Sequence, residues 1–107
     1  MTTFDDRERA AENHFAMEEN IAFRITARRN KLVAHWAAKL MNLTPEEAEA
    51  YAKAVVQSDF EEAGDEDVIR KLLGDLTAAG VAMDDAGIRA ALAEQRIVAQ
   101  QQLSDAQ

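Results

Sequence analysis

One proline and four glycines are all that interrupt this chain, and between them the apolar residues recur three and four positions apart, with no alternating run long enough for a strand. The pattern makes an all-α protein. Its sharpest boundary is Thr44-Pro45-Glu46-Glu47, where a capping threonine precedes a proline whose φ is already set for the first helical turn and a glutamate that can bond back to the cap. A helix is expected from there, burying Ala48, Tyr51, Ala52, Val55, Val56, Phe60 and Ala63 and ending at Gly64, which takes the left-handed conformation readily. Gly64 or Asp65 then caps a third helix with the stripe Val68, Ile69, Leu72, Leu73, Leu76 and Ala79, stopped by Gly80. Gly74 inside it costs up to about 1 kcal/mol relative to alanine, which close packing against a neighbour would explain. Asp84 is the best cap for a last helix carrying Ile88, Ala91, Leu92, Val98 and Leu103. The apolar pattern thins after Leu92 into Gln100, Gln101 and Gln102, so this end is expected to fray.

The region from about residue 5 to residue 42 is long and uneven, and it reads as two parts. From Ile21 onward, Ile21, Ile25, Leu32, Val33, Trp36, Leu40 and Met41 form a broad apolar face fit for a bundle core. Before it, Thr3-Phe4-Asp5-Asp6 can form a capping box, but only Phe4, Ala10, Ala11 and Phe15 follow as a narrow stripe with charges on both sides. A short helix of that kind is marginal alone in water. The expected architecture is therefore a four-helix bundle over residues 19–107, joined to a flexible or marginally helical N-terminal arm over residues 1–18.

A chain of 107 residues is one domain, large enough to bury roughly two-thirds of its unfolded surface. It has no cysteine, which removes disulfides and thiolate chemistry and fits a reducing compartment. No apolar stretch approaches the roughly 20 residues that span a bilayer, and the start MTTFDDRERA is charged where a signal peptide would be apolar. A cytoplasmic protein without direct membrane insertion is expected. The net charge of −8 argues against nucleic acid as a partner, because phosphate affinity is built from lysine and arginine. The charge is unevenly spread: residues 1–19 carry six acids and two bases, residues 20–43 five bases and no acid, and residues 44–67 nine acids and one base. The basic segment is expected to lie against its acidic neighbours.

Catalytic and metal-binding patterns are missing. A di-iron bundle needs Glu-x-x-His motifs, but Ala11 stands three before His14 and Leu32 three before His35. With Gly64 as the turn glycine of a calcium loop, the final ligand position falls on Arg70, so the acids Asp59, Glu61, Glu62, Asp65, Glu66 and Asp67 read as helix caps and a solvated loop. The glycines at 64, 74, 80 and 87 fit neither a phosphate loop nor a dinucleotide fingerprint, and two serines with two histidines specify no triad. No cofactor, metal or enzymatic activity is expected. Arg24, Arg28, Arg29 and Lys31 form the one cationic cluster. Arg24 and Arg28 share a helical face, where like charges repel unless something negative lies between them. That counter-charge is expected from the acidic second and third helices, with an anion or nucleotide phosphate as the alternative.

The strings FDDRERA at 4–10, ARRNKL at 27–32, WAAKLM at 36–41 and AEAYAKAVVQSDFEEAGDEDVIRKL at 48–72 resemble the zeta-subunit family of alphaproteobacterial F-type ATP synthases. The resemblance implies a four-helix fold and inhibition of the F1-ATPase, whose α, β and γ subunits would be the partners, and a place peripheral to the inner membrane through F1. It also implies that the N-terminal segment enters a catalytic α/β interface and blocks rotation of the central stalk in the hydrolysis direction. Carried over by position, the partner-binding residues are Thr3, Phe4, Asp5, Asp6, Arg7, Glu8, Arg9, Ala10 and Phe15. The alternatives are a nucleotide-binding bundle, for which only Arg24, Arg28, Arg29 and Lys31 offer ATP or ADP a contact, and a structural or assembly subunit with weak or no inhibition. Ala11 is smaller than the residue expected there from the family, and Met17 and Asn20 are atypical of it.

Overall fold

The computed structural model describes the backbone of residues 3–59 and 64–105, and side chains within those spans from residue 20 onward. Four α-helices follow one another: α1 Thr3–Leu40, α2 Pro45–Ser58, α3 Glu66–Ala78 and α4 Asp85–Asp105. The all-α reading holds. The four-helix reading holds with it, the first region forming α1, 38 residues long, whose first half is the stretch read as a marginally helical arm. At 1.5 Å per residue that is about 57 Å, which accounts for a molecule 64 Å long and only 26 × 21 Å across.

Local chemistry places the junctions. The Thr44 hydroxyl accepts from the Glu47 amide at 3.2 Å while the Glu47 carboxylate accepts from the Thr44 amide at 2.9 Å, so the capping box is formed. The same bonds hold the Glu47 carboxyl below its ordinary range. The helix then ends at Ser58, earlier than Gly64 suggested, and Phe60 and Ala63 lie outside the described residues. Ser58 Oγ donates to the Val55 carbonyl at 2.7 Å, a side-chain bond that competes with continuation of the helix. Gly64 does adopt φ 88°, and Gly80 φ 81°. Both α1 and α3 close with a left-handed residue and paired bonds to the preceding turn: Leu43 to Ala38 and Asn42 to Lys39, Val81 to Leu76 and Gly80 to Thr77. Asn42 at φ 59° supplies for α1 what Gly80 supplies for α3. At α4, Asp84 accepts from the Gly87 amide at 2.7 Å, as its position predicted.

α1 is the axis of the bundle. It packs against all three other helices, α3 touches α2 and α4, and α2 and α4 do not approach each other among the described residues. The core joins Val33, Ala34 and Ala37 of α1 to Ala52 and Val55 of α2, Val68, Ile69, Leu72 and Leu76 of α3, and Ile88, Ala91 and Leu92 of α4. The face of α1 is thus rotated from the expected one. Val33 is buried, but Ile21 and Leu40 are exposed, and Trp36 and Met41 sit at the margin. One helix can be surrounded on several sides only where its residues are small, so alanines take the centre and the larger apolar side chains flank it. α4 is helical to Asp105, with Ala99 fully buried and Val98 and Leu103 half-buried.

α2 is tied to α3 by Tyr51, whose hydroxyl donates to the Asp75 carboxylate at 2.8 Å. Lys71 donates to the same carboxylate at 3.2 Å and stands 5.3 Å from the Tyr51 ring centre. Partial burial and the adjacent Asp75 push the Tyr51 hydroxyl pKa up, so it stays a donor.

Gly74 is not a close-packing glycine, because a β-carbon built there meets no atom within 4 Å. Gly74→Ala is therefore expected to raise the unfolding free energy by up to about 1 kcal/mol in urea titrations. Gly80→Ala, forced to φ 81°, should lower it.

Candidate functional site

The cationic segment of α1 splits into two environments. Arg29 faces inward and is 4% exposed. Its Nη2 donates to Asp65 Oδ1 at 2.8 Å and its Nη1 to Asp65 Oδ2 at 3.2 Å, a two-pronged pair with the residue that precedes α3. Nε and Nη2 also donate to the Oδ1 of the fully buried Asn30, at 3.1 and 2.8 Å. Asp65 consequently places no side-chain cap on α3, although it occupies the cap position. Its hydrogen bonds with Arg29 hold its carboxyl below the usual range. Asp59, at the end of α2, is affected in the opposite direction: burial raises its carboxyl against the pull of the same guanidinium. Arg29 thus joins α1 to both ends of the α2–α3 connection.

Arg24, Arg28 and Lys31 point the other way. They line a groove of about 780 Å³ over α1, between α2 and α4, whose apolar floor and walls come from Phe23, Leu32, Val56 and Leu103. Arg28 Nη1 donates to Gln102 of α4 at 3.1 Å, and at the far end His35 Nε2 lies 3.2 Å from Glu49. A second hollow of about 290 Å³ continues it along α2 past Lys53 and shares Lys31 and Val56 with it. Among the described residues, no ion pair involves Arg24, Arg28, Lys31 or Lys53. Of the segment's cations, only Arg29 is paired with one of the acidic neighbours among the described residues. The groove exists because α2 and α4 meet α1 on separate sides and nothing described bridges them. Residues 20–24 of α1 are all exposed.

The sequence model of the family ATPase inhibitor subunit zeta matches residues 1–102. The chain belongs to that family. A structure solved by solution NMR is similar at a TM-score of 0.70 and 46% sequence identity, covering 79% of this chain and 96% of that one. No curated protein matches.

For this zeta-family chain, the candidate partner-binding residues Thr3, Phe4, Asp5, Asp6, Arg7, Glu8, Arg9, Ala10 and Phe15 all fall on the first half of α1, and their side chains lie outside the described residues. Ala11, Met17 and His14 do as well. Of the four basic residues grouped by sequence, three share the groove and Arg29 is held apart by Asp65. Sequence reasoning did not single out Phe23, Val56, Gln102 or Leu103 as groove residues. Phe23, 55% exposed where a core residue would be covered, becomes informative only once the helices are assembled. Among the described residues no group of three or more histidines and acids could hold a metal, and no helix is long and apolar enough to cross a membrane.

The two carboxyls beside Arg29 make opposite predictions. Asp65, depressed in the folded state, contributes stability that is present at neutral pH and lost as pH falls through its folded value. Asp59, raised, contributes stability present in acid and lost as pH rises through its folded value. Asp65→Asn is therefore expected to lower the unfolding free energy at pH 7 by about 1–3 kcal/mol, by weakening the partner of a buried donor, and to flatten the acid limb. Asp59→Asn should stabilise at pH 7 and lose that advantage in acid. Urea titrations across the carboxylate range read both.

Proposed function

We propose that this protein inhibits ATP hydrolysis by the F1 sector of an F-type ATP synthase, with its N-terminal segment as the acting element and the helical bundle as its anchor. The observation that carries the reading is the family match, joined to the shape of α1. The helix runs from Thr3 to Leu40, and among its described side chains the buried ones begin at Arg29 while residues 20–24 are exposed. A segment presented beyond its bundle in this way suits entry into a cleft that the bundle itself, more than 20 Å across, could not enter.

In this reading the segment enters a catalytic α/β interface, touches the central γ subunit and blocks rotation in the hydrolysis direction. Phe4 and Phe15 anchor in apolar pockets, and Asp5, Asp6, Arg7, Glu8 and Arg9 pair with the cleft walls, while Thr3 and Ala10 complete the inserted face. The small side chain of Ala11 gives up apolar contact at the cleft, which weakens binding by about 1–3 kcal/mol relative to a larger residue. The protein then acts in the cytoplasm, at the inner membrane through F1, as a regulator. The alternative of nucleotide binding through Arg24, Arg28, Arg29 and Lys31 is supported less well. Arg29 already has its anion in Asp65, and the groove lined by the other three is mostly apolar.

Deleting residues 2–15 is the deciding experiment. The shortened chain should keep its helical circular dichroism and cooperative unfolding, yet lose inhibition of hydrolysis by the cognate F1 even in stoichiometric excess. Undiminished inhibition would remove the N-terminal segment from the mechanism. A correctly folded full chain that leaves hydrolysis unchanged would favour a structural subunit instead.

A further inference from the structure

We propose that the groove lined by Arg24, Arg28 and Lys31 is a docking site for an acidic amphipathic helix on the surface of F1, which fixes the bundle beside the cleft that its N-terminal segment enters.

The chemistry of the groove selects that occupant. Arg24, Arg28 and Lys31 are all exposed, stand four and three positions apart on α1, and form no ion pair among the described residues. That spacing returns to one face of a helix, so three like charges are lined up over about 10 Å and repel one another. Arg28 has only the neutral side chain of Gln102 as a partner. Lys53 adds a further cation in the adjoining hollow, which shares Lys31 and Val56 with the groove. The acid at the far end, Glu49, is engaged by His35. Between these charges the lining is apolar, with Leu32 of α1, Val56 of α2 and Leu103 of α4 each half-buried. A partner that satisfies both parts must present a row of carboxylates with apolar side chains beside it. Acids three and four apart on an amphipathic helix are such a surface. The groove runs along residues 23–35 of α1, about 18 Å, which accommodates roughly three turns of the partner. A flat anionic membrane fits less well, because the apolar floor is recessed between α2 and α4.

The assignment to F1 rests on the inhibitor reading above. The cations lie on α1, the helix whose first half carries the segment assigned to the cleft, and Arg24 follows Phe15 by nine residues, about 14 Å along a helix. A chain anchored by Phe15 inside the cleft thus brings Arg24, Arg28 and Lys31 to the surface bordering its mouth. Charge complementarity there speeds encounter and fixes the orientation of the bundle.

The test compares the full-length chain with charge-reversed variants, in direct binding to the cognate F1 and in hydrolysis assays. R24E/R28E, changed at two exposed positions, should retain the circular dichroism and unfolding midpoint of the unmodified chain. It should bind F1 at least about tenfold more weakly and lose most of the salt dependence of binding. K39E, an exposed reversal on α1 outside the groove, should alter binding by less than about twofold. A zero-length carbodiimide should join the Lys31 amine to acids that peptide mapping places three or four apart on one helix of F1, and K31R should lose that adduct. Unchanged binding of R24E/R28E would overturn the docking site, as would Lys31 adducts confined to this chain or to acids outside a helix. So would anionic lipid vesicles that capture the unmodified chain but not R24E/R28E while F1 binds both equally. The two readings fail separately. Hydrolysis left unchanged by a chain that binds F1 through Arg24 and Arg28 removes inhibition and keeps the docking site; binding and inhibition undiminished in R24E/R28E remove the docking site and keep inhibition. An unmodified chain that does not bind F1 overturns both.

Discussion

The guanidinium of Arg29 is the constraint around which the rest is arranged. A charge buried to 4% exposure is tolerated only if it is neutralised and its donors are used. Asp65 does the first with two bonds and Asn30 accepts two more. Because Asp65 stands between Gly64 and the start of α3, meeting that demand sets where the α2–α3 connection touches α1. It also explains why Asp65 leaves the end of α3 without a side-chain cap: its two oxygens are already engaged.

With that connection in place, α1 becomes the helix that all others touch. A small-residue centre at Ala34, Ala37 and Ala38 allows three neighbours to approach one helix, which a row of leucines would prevent. The arrangement leaves one side open. Where α2 and α4 stand apart, Arg24, Arg28 and Lys31 line a groove and form no ion pair among the described residues.

How much of this was legible in the chain depended on sequence distance. Thr44 and Glu47 lie three residues apart and their capping box was readable without a structure, as were Gly80 and Asp84. Arg29 and Asp65 are 36 residues apart, and charge blocks alone could say that the basic segment would meet acids but not that Arg29 would take Asp65. The face of α1 was misjudged because the large apolar residues dominate a helical pattern, whereas burial at a crowded axis selects for small volume. Ala99, weakly apolar by composition, is likewise fully buried by position.

The sequence by itself determined the all-α class, the number of helices and the chemistry at their junctions, since these follow from contacts within a few residues. It also carried the strings that marked the family. Tertiary structure alone decided that α1 is central, that Arg29 is internal while its basic neighbours are not, and that Arg24, Arg28 and Lys31 line a groove. Those outcomes depend on which helix faces compete for the same volume, and that competition is settled only when distant parts of the chain come together.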